Sequence, residues 1–446
     1  MKITNWGKYP QVEAAVQPYR PGFVFGDEGG WIPRGMGRCY GDSALAARIV
    51  SSDRMNRFLA FDPATGQLTC EAGVTFADII DVFLPRGWFP PVTPGTKFVS
   101  MGGALASDVH GKNHHKEGSF ADHVLSFDLL TADGSVRRCS RDTHPALFQA
   151  TAGGMGLTGL ILSLTLQLRP VESSAIRMAS IKARNLAEIL DLFDASGEAT
   201  YTVAWIDCLS RGNSLGRSIL MQGEHATRDE LPADRQATPF RPARRGSLTV
   251  PFDLPPFVLN NTSIRLFNQL YYHKQRARTV QRLVEYDPFF YPLDVIHHWN
   301  RIYGRRGFTQ YQLVVPRAAG QQALPHILRE IVGAGFGSFL SVLKLFGPQG
   351  SGLLSFPMEG YTLTLDFPIT RRLFPFLDHL DHLVADYGGR VYLTKDVRLP
   401  AAMMARMYPR LPEFRAVLAQ LDPDRRVRSL QSERLALHPR KLAEVL

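Results

Sequence analysis

Cysteine is scarce in this chain of 446 residues, and the four present, Cys39, Cys70, Cys139 and Cys208, lie far apart. No two of them form a C-x-x-C pair. This spacing argues against a disulfide framework and against a cysteine-based zinc site. It favours a reducing compartment.

Long hydrophobic runs are lacking as well. The longest candidate, residues 157–168, contains Thr, Gly and Ser and is shorter than the ~18 residues that a spanning helix needs. The polar N-terminus shows no apolar segment of the kind that begins a secretory signal. We therefore expect a soluble, cytoplasmic protein that makes at most peripheral contact with the inner membrane surface.

Acidic residues are outnumbered by basic ones, 41 against 51, so the net charge is +10. Such a balance suits an anionic partner: nucleic acid, a phosphorylated substrate or an acidic membrane surface. The chain has no recognisable nucleic-acid-binding motif, so we expect no nucleic-acid partner. A basic nucleic-acid-binding protein without catalysis is kept as the non-enzyme alternative.

Strand and helix signals alternate along the chain. Residues 57–71 predict two strands joined by a turn, and Thr75 precedes apolar residues at helical spacing, which predicts a capped helix. Later, helical patterns alternate with strand-like runs at 311–315, 339–345 and 361–367. This second part predicts an α+β unit with an antiparallel sheet.

Residues 222–261 interrupt that pattern, because they are rich in Pro and charge and lack a sustained apolar period. They predict a long mobile loop. The loop carries a basic cluster formed by Arg241, Arg244 and Arg245. One hypothesis is that this cluster meets an anionic lipid surface or a lipid phosphate; the alternative is a surface loop without a partner.

Three glycine-rich loops carry the first chemical signal, at residues 35–42, 93–115 and 150–159. Clustered glycines let a backbone approach a phosphate closely. The first loop has the spacing G-x-G-x-x-x-G and no amphipathic helix follows it, which disfavours a nicotinamide site of the Rossmann type. Three such loops in one α/β region indicate an extended ligand, for which a dinucleotide is a natural fit.

Three histidines in the second loop, His110, His114 and His115, raise the question of a metal site. Gly111 and Asn113 weaken a helix there, and no H-E-x-x-H pattern is present. We therefore expect no metal.

Eight motifs run in order over almost the whole chain. They are Gly-Arg-Cys-Tyr-Gly-Asp (37–42), Asp-Val-His-Gly-Lys-Asn-His-His (108–115), Leu-Leu-Thr-Ala-Asp-Gly (129–134), Gly-Leu-Thr-Gly (156–159), Tyr-Gln-Leu-Val-Val-Pro (311–316), Lys-Leu-Phe-Gly-Pro (344–348), Asp-Phe-Pro-Ile (366–369) and Thr-Lys-Asp (394–396). Together they resemble the FAD-linked oxidoreductases of the vanillyl-alcohol oxidase type, and within that family the members that oxidise decaprenylphosphoryl-ribose.

This resemblance implies an α+β protein, in which a two-subdomain FAD-binding module is joined to a substrate domain with an antiparallel sheet. The implied FAD-binding domain covers residues 1–175. The substrate-binding domain, with the mobile loop near 222–261, covers 176–389, and residues 390–446 return to the FAD-binding domain.

The resemblance also implies the cofactor contacts. The implied FAD-binding residues are Pro33, Arg34, Gly35, Met36, Gly37, Arg38, Cys39, Tyr40, Gly41, Asp42, Ser43, Gly95, Ser100, Met101, Gly102, Gly103, Ser107, Asp108, Val109, His110, Ile161 and Tyr392. Many relatives bond the flavin covalently through a His that corresponds to Arg38. Arginine cannot form that bond, so non-covalent FAD is implied.

The implied catalytic residues are Lys395, at the reacting hydroxyl, and His110. The implied substrate residues are Trp205, Tyr303, Gln310, Gln312, Lys344, Thr362, Thr364 and Lys395. Members of this family that oxidise decaprenylphosphoryl-ribose have Asn and Cys where this chain has Thr362 and Thr364, so the resemblance implies that this chain lacks one pocket thiol.

The implied activity is FAD-dependent oxidation of a secondary sugar hydroxyl, C2 of a polyprenyl-phosphoryl pentose such as decaprenylphosphoryl-ribose, to a keto-sugar. This would be the first half of an epimerisation, completed by a separate NAD(P)H-dependent reductase of the short-chain type. A sugar or aldonolactone oxidase that acts on a soluble substrate is the enzymatic alternative.

Overall fold

The computed structural model describes residues 1–27, 29–242, 246, 248–255 and 258–438. Its strands are β1 Lys2–Thr4, β2 Gln11–Glu13, β3 Ala15–Pro18, β4 Trp31–Arg34, β5 Arg48–Ser51, β6 Phe58–Asp62, β7 Gln67–Glu71, β8 Trp88–Phe89, β9 Val124–Leu130, β10 Val136–Ser140, β11 Leu160–Gln167, β12 Arg169–Pro170, β13 Ala175–Ala183, β14 Tyr201–Ile206, β15 Ser218–His225, β16 Leu248–Thr249, β17 Thr279–Glu285, β18 Ile296–His297, β19 Phe308–Pro316, β20 Ser341–Phe346, β21 Gly360–Pro368 and β22 Arg390–Val391. Its α-helices are α1 Phe76–Phe83, α2 Met101–Ala106, α3 His114–Glu117, α4 Pro145–Thr151, α5 Leu186–Asp194, α6 Ala233–Gln236, α7 Asn261–Lys274, α8 Tyr286–Phe290, α9 Gly320–Ala334, α10 Leu373–Asp386, α11 Ala401–Met407, α12 Leu411–Leu421 and α13 Leu430–Arg434.

The N-terminal part is built on a five-stranded sheet in the order β10-β9-β11-β7-β6 and a three-stranded sheet in the order β3-β5-β4. The predicted strand pair at 57–71 is confirmed as β6 and β7, which are antiparallel. The predicted cap is also confirmed: Thr75 accepts a hydrogen bond from the amide of Asp78, whose carboxylate accepts one from the amide of Thr75.

The second part is built on an eight-stranded sheet in the order β17-β13-β15-β14-β20-β21-β19-β22. Every pairing in it is antiparallel, which confirms the predicted sheet type. Helices α5, α9 and α10 pack against one face, where alternate strand residues such as Leu313, Leu343 and Leu363 are completely buried. The opposite face is therefore the one available for a ligand.

The C-terminal segment returns to the N-terminal part. Val427 pairs with Trp31, and the amide of Tyr40 donates to the carbonyl of Thr394 over 3.1 Å. The domain limits at 175 and 389 remain predictions, but this return fixes the first glycine loop against the segment that carries Lys395.

The predicted loop over 222–261 begins later than expected, because residues 222–225 complete β15. Within the range, α6 forms one turn and β16 pairs in parallel with β18. Arg244 and Arg245 of the predicted basic cluster lie outside the described residues. In the part of the chain that the structure describes, no helix is both long and apolar enough to cross a membrane.

Candidate active site

Strand register brings the polar residues of the sheet to one face. Gln310 lies opposite Asp366 and Gln312 opposite Thr364 in the pairing of β19 with β21, and Lys344 of β20 lies opposite Thr362. Side chains directly opposite each other in a sheet point to the same face. A cavity of about 1030 Å³ opens on this face, and the N-terminal glycine loops form its other wall.

Asp366 is the centre of a hydrogen-bond network on this face. Its carboxylate accepts hydrogen bonds from Gln310 Nε2 at 2.6 Å and from the Tyr303 hydroxyl at 3.3 Å. The side chain is completely buried, and burial raises its pKa, although the bond from Gln310 and the charge of Lys395 oppose that rise. The network thus holds an acidic group against the cavity wall.

Lys395 follows β22 and lines the cavity beside this network. Its Nζ lies 4.0 Å from the ring centroid of Tyr40, which is a cation–π distance. Burial lowers the pKa of Lys395, while the charge of Asp366 opposes that fall and Lys344 adds to it. A lysine with a lowered pKa is available as the free amine near neutral pH, and the free amine is the form that accepts a proton.

His110 is a neutral histidine whose tautomer can be assigned from its neighbours. Thr362 Oγ1 donates its hydrogen to the carbonyl of Leu313 at 2.8 Å. The Thr362 hydroxyl therefore acts as the acceptor in its contact with Gln312 Nε2, at 3.2 Å. The second hydrogen of the Gln312 amide then points to His110 Nε2, at 2.9 Å. The proton of the ring is therefore on Nδ1. Burial, together with the charge of Lys344, lowers the pKa of His110 well below its usual value.

His110 Nδ1 is buried and has no hydrogen-bond partner within the described residues. The ring lines the cavity, and the adjacent backbone of Gly111 opposes the fall in its pKa. No group of three or more His, Cys, Asp or Glu side chains among those residues is arranged to hold a metal ion.

Two further lysines give the cavity a cationic wall. Burial lowers the pKa of Lys344 to about 8 and that of Lys112 to about 7. Lys112 donates to the carbonyl of Phe289, whereas Lys344 makes no hydrogen bond or ion pair with any described residue. A cation that is held without a protein partner in a cavity suits a phosphorylated ligand.

The wall opposite the sheet fits a long dinucleotide. The first glycine loop lies against the start of α2, so closely that a Cβ on Gly35 would come within 2.2 Å of Ser100 Oγ. The backbone of Gly37 is left-handed, with φ of +60°. The guanidinium of Arg38 lies 4.4 Å from the ring centroid of Trp6. Its Nε is buried and has no hydrogen-bond partner within the described residues. Small residues and unsatisfied donors along one cavity are what FAD requires.

Most of the predicted residues come together around this cavity. From the predicted cofactor set, Pro33, Arg34, Gly35, Met36, Gly37, Arg38, Cys39, Tyr40, Ser43, Gly95, Ser100, Gly102, Gly103, Ser107, Val109, His110, Ile161 and Tyr392 line it. From the predicted substrate set, Trp205, Gln310, Gln312, Lys344, Thr364 and Lys395 line it.

Four predicted cofactor residues lie behind the cavity wall. Asp42 forms a bidentate ion pair with Arg434, and Gly41 packs so tightly on the Asp396 carbonyl that a Cβ would come within 1.8 Å. Met101 is in the hydrophobic core, and Asp108 accepts from the Ala121 amide at 3.0 Å. Their positions suit support of the loops rather than contact with the cofactor.

Two predicted substrate residues also lie behind the wall. Tyr303 stacks on Phe308 with centroids 4.2 Å apart, and its hydroxyl donates to the buried carboxylate of Asp366. Thr362 is completely buried and accepts a hydrogen bond from Gln312, which does line the cavity.

The sequence-based site omitted several residues that line the cavity or face it. Asp366 was omitted although it follows Thr362 and Thr364 at alternate positions of an otherwise apolar strand, a pattern that could have identified it. Met178, Met221 and Arg282 also line the cavity. Nothing in the local sequence marks them, because only the strand order brings them to this face.

Comparison with known proteins agrees with this geometry. A family model of the FAD binding domain matches residues 28–140. Decaprenylphosphoryl-beta-D-ribose oxidase of Mycolicibacterium smegmatis is 37% identical over 98% of this chain and 97% of that protein. L-gulonolactone oxidase of Bos taurus is 33% identical, but over only 27% of this chain and 28% of that protein. The chain therefore belongs to the family of FAD-dependent oxidoreductases that includes decaprenylphosphoryl-beta-D-ribose oxidase.

Proposed function

We propose that this enzyme oxidises a secondary hydroxyl of a polyprenyl-phosphoryl pentose, at C2 of a ribose such as that of decaprenylphosphoryl-ribose, to a keto-sugar. The observation that carries the proposal is a sheet face on which Gln310 and Gln312 lie beside Lys344, a cation that makes no hydrogen bond or ion pair with any described residue. Lys395 lines the same cavity from the segment that follows β22. Gln310, Gln312 and Lys395 offer polar contacts to a sugar. Asp366 lies behind the cavity lining and accepts a hydrogen bond from Gln310. Lys344 offers a charge to a phosphate next to it.

The cofactor would be held by the glycine loops and by α2. The resemblance implies that it is held with no covalent bond, because Arg38 is the residue expected to correspond to the bonding histidine of many relatives. When bound there, FAD supplies the acceptor for the hydride that leaves the carbinol carbon. The chain's own residues then have to orient the sugar and manage one proton.

Lys395 would take that proton. As a free amine it accepts the proton of the reacting hydroxyl, and the resulting ammonium is stabilised by the neighbouring carboxylate of Asp366. Gln310 and Tyr303 fix that carboxylate through their hydrogen bonds. His110, with its proton on Nδ1, would donate a hydrogen bond rather than act as the base.

Two further expectations follow from such a substrate. The keto-sugar needs a hydride donor to complete an epimerisation, and a separate NAD(P)H-dependent reductase of the short-chain type would supply it. A lipid-linked substrate would also bring the protein to a membrane surface. Arg241, the described residue of the basic cluster, is exposed and available to meet that surface.

Anaerobic reduction of the flavin by a small panel of sugars tests the proposal. We expect bleaching of the flavin absorbance by a prenylphosphoryl-ribose and none by free ribose or an aldonolactone. Bleaching by the lactone alone would instead favour a soluble-sugar oxidase, to which the partial similarity with L-gulonolactone oxidase points. No bleaching by any of them would overturn both assignments.

A further inference from the structure

The cavity does not end at the polar cluster but continues along the same face of the sheet. Beyond Lys344 its lining passes to Trp205 and Val203 of β14, Met221 of β15 and Met178 of β13. Register keeps them on one face, since Val203 lies opposite Met221. We call these four residues the apolar trough.

The trough is enclosed by aromatic side chains from two helices. Tyr271 of α7 lies 4.8 Å from Trp205 between ring centroids. Phe289 of α8 covers the opposite side, so close to β15 that a Cβ on Gly223 would come within 2.4 Å of its ring. Trp205, Val203 and Met178 are 7%, 5% and 4% exposed. The trough is thus an internal, apolar extension of the polar site.

The far end of the trough reaches the edge of the sheet. Arg282 and Val284 of edge strand β17 line the cavity there, and Arg282 lies opposite Met178. On α7, Leu270, next to Tyr271, is 65% exposed. Four interstrand steps separate β20 from β17, which amounts to roughly 19 Å at about 4.8 Å a step.

The order of chemistry across the strands matches the order of groups in a lipid-linked sugar. Asp366 and Gln310 lie on β21 and β19, Lys344 lies on β20, and the trough begins on β14. A sugar, a phosphate and a hydrocarbon chain would meet polar groups, a cation and an apolar surface in that sequence. A free sugar or lactone would leave the trough without a partner.

We propose that the apolar trough binds the first isoprene units of the substrate's prenyl chain and guides the chain out at the Arg282 edge. This inference rests on the proposed function, of which it specifies the lipid subsite. Ten isoprene units exceed the length of the trough, so the distal units lie beyond the edge strand. Only the proximal units then contribute to recognition.

The test compares farnesylphosphoryl-ribose with methylphosphoryl-ribose by anaerobic flavin reduction in the FAD-loaded enzyme. For the unmodified enzyme we expect kcat/KM to be at least tenfold higher with the farnesyl compound, because apolar surface is buried. In Met221→Gln this ratio should fall about tenfold. Leu283→Gln is the matched control, since Leu283 is exposed and points to the opposite face of β17, and there the ratio should not change.

A second variant separates this path from a competing one. Ile296 of β18 also lines the cavity, on the side of β16. Suppose that Ile296→Gln lowered the farnesyl-to-methyl ratio of kcat/KM and that Met221→Gln did not. The prenyl chain would then leave the cavity beneath β18, and the proposal would be wrong. Equal kcat/KM for both compounds in the unmodified enzyme would also refute the role of the apolar trough in lipid binding, while the proposed oxidation would stand. No reduction by either compound would instead defeat the proposed function itself.

Discussion

Replacing Lys344 by methionine should stabilise the protein while weakening its substrate binding. Lys344 is half-buried in the cavity wall and makes no ion pair with any described residue, and burial alone lowers its pKa from 10.5 to about 8. At about 1.4 kcal/mol for each pKa unit, the charged form costs about 3 kcal/mol in the folded state. Methionine keeps an aliphatic side chain of similar length and removes that cost.

The gain should depend on pH in a direction that can be worked out. At pH 7 Lys344 is protonated both in the folded and in the unfolded chain, so the full cost applies. Between pH 8 and 10.5 the unfolded chain binds more protons than the folded one, and the cost falls as the pH rises. The expected stabilisation of Lys344→Met is therefore about 3 kcal/mol at pH 7 and about 1 kcal/mol at pH 9.5.

Urea unfolding of the flavin-free protein at these two pH values measures the effect, with flavin reduction as the functional assay. Lys182→Met is the control, because Lys182 lies outside the cavity and donates to the carbonyl of Gln275 at 3.0 Å. It should show no such gain. KM for a prenylphosphoryl-ribose should rise about tenfold or more in Lys344→Met, as expected on loss of a phosphate contact. A stabilisation of equal size at both pH values would show that packing, not charge, causes it, and would refute the reasoning.

Three other substitutions test the site. Thr362→Val leaves one of the two hydrogens of the buried Gln312 amide without its acceptor. It should therefore cost about 2 kcal/mol in urea unfolding and slow flavin reduction, and Thr362→Ser should restore both. Lys395→Met should lower the rate of flavin reduction about a hundredfold or more. In the unmodified enzyme this rate should rise as the pH passes through the lowered pKa of Lys395, and in the variant the rise should be absent. Arg434→Met leaves Asp42 and Asp396 without their cation, so it should cost about 3 kcal/mol of stability. It should also weaken FAD binding, as measured by flavin fluorescence. Unchanged FAD affinity would show that the C-terminal segment does not hold the first glycine loop in place.

Local patterns were sufficient to predict the elements that frame the site. Thr75 with its helical spacing predicted α1, and the apolar runs around Leu313, Leu343 and Leu363 predicted an antiparallel sheet, because caps and apolar periods are written in neighbouring residues. Residues 222–225 were missed as a strand because the Pro-rich sequence that follows them dominated the interpretation.

The site itself depended on the resemblance, since its partners come from distant parts of the chain. Resemblance identified Lys395 and His110 together, although 285 positions separate them. It did not distinguish residues that line the cavity from those that act through another side chain, as Tyr303 does through Asp366. That distinction depends on which atom ends within about 3 Å of which other, and neither spacing nor family motif encodes it.

Register, rather than residue identity alone, makes this sheet face a site. Lys344 stands between Leu343 and Leu345 on β20, and a shift of that strand by one residue would turn the lysine into the helix-covered core and a leucine into the cavity. The hydroxyl of Ser338, just before β20, accepts a hydrogen bond from the amide of Asp366 at 2.8 Å. This contact ties the approach to β20 to its neighbour β21 at the acidic residue of the network. The segment around Ser338, which binds the Asp366 backbone, therefore also sets which side chain of β20 faces the cavity. The hydrogen bonds that position the carboxylate of Asp366 thus position the ammonium of Lys344 as well.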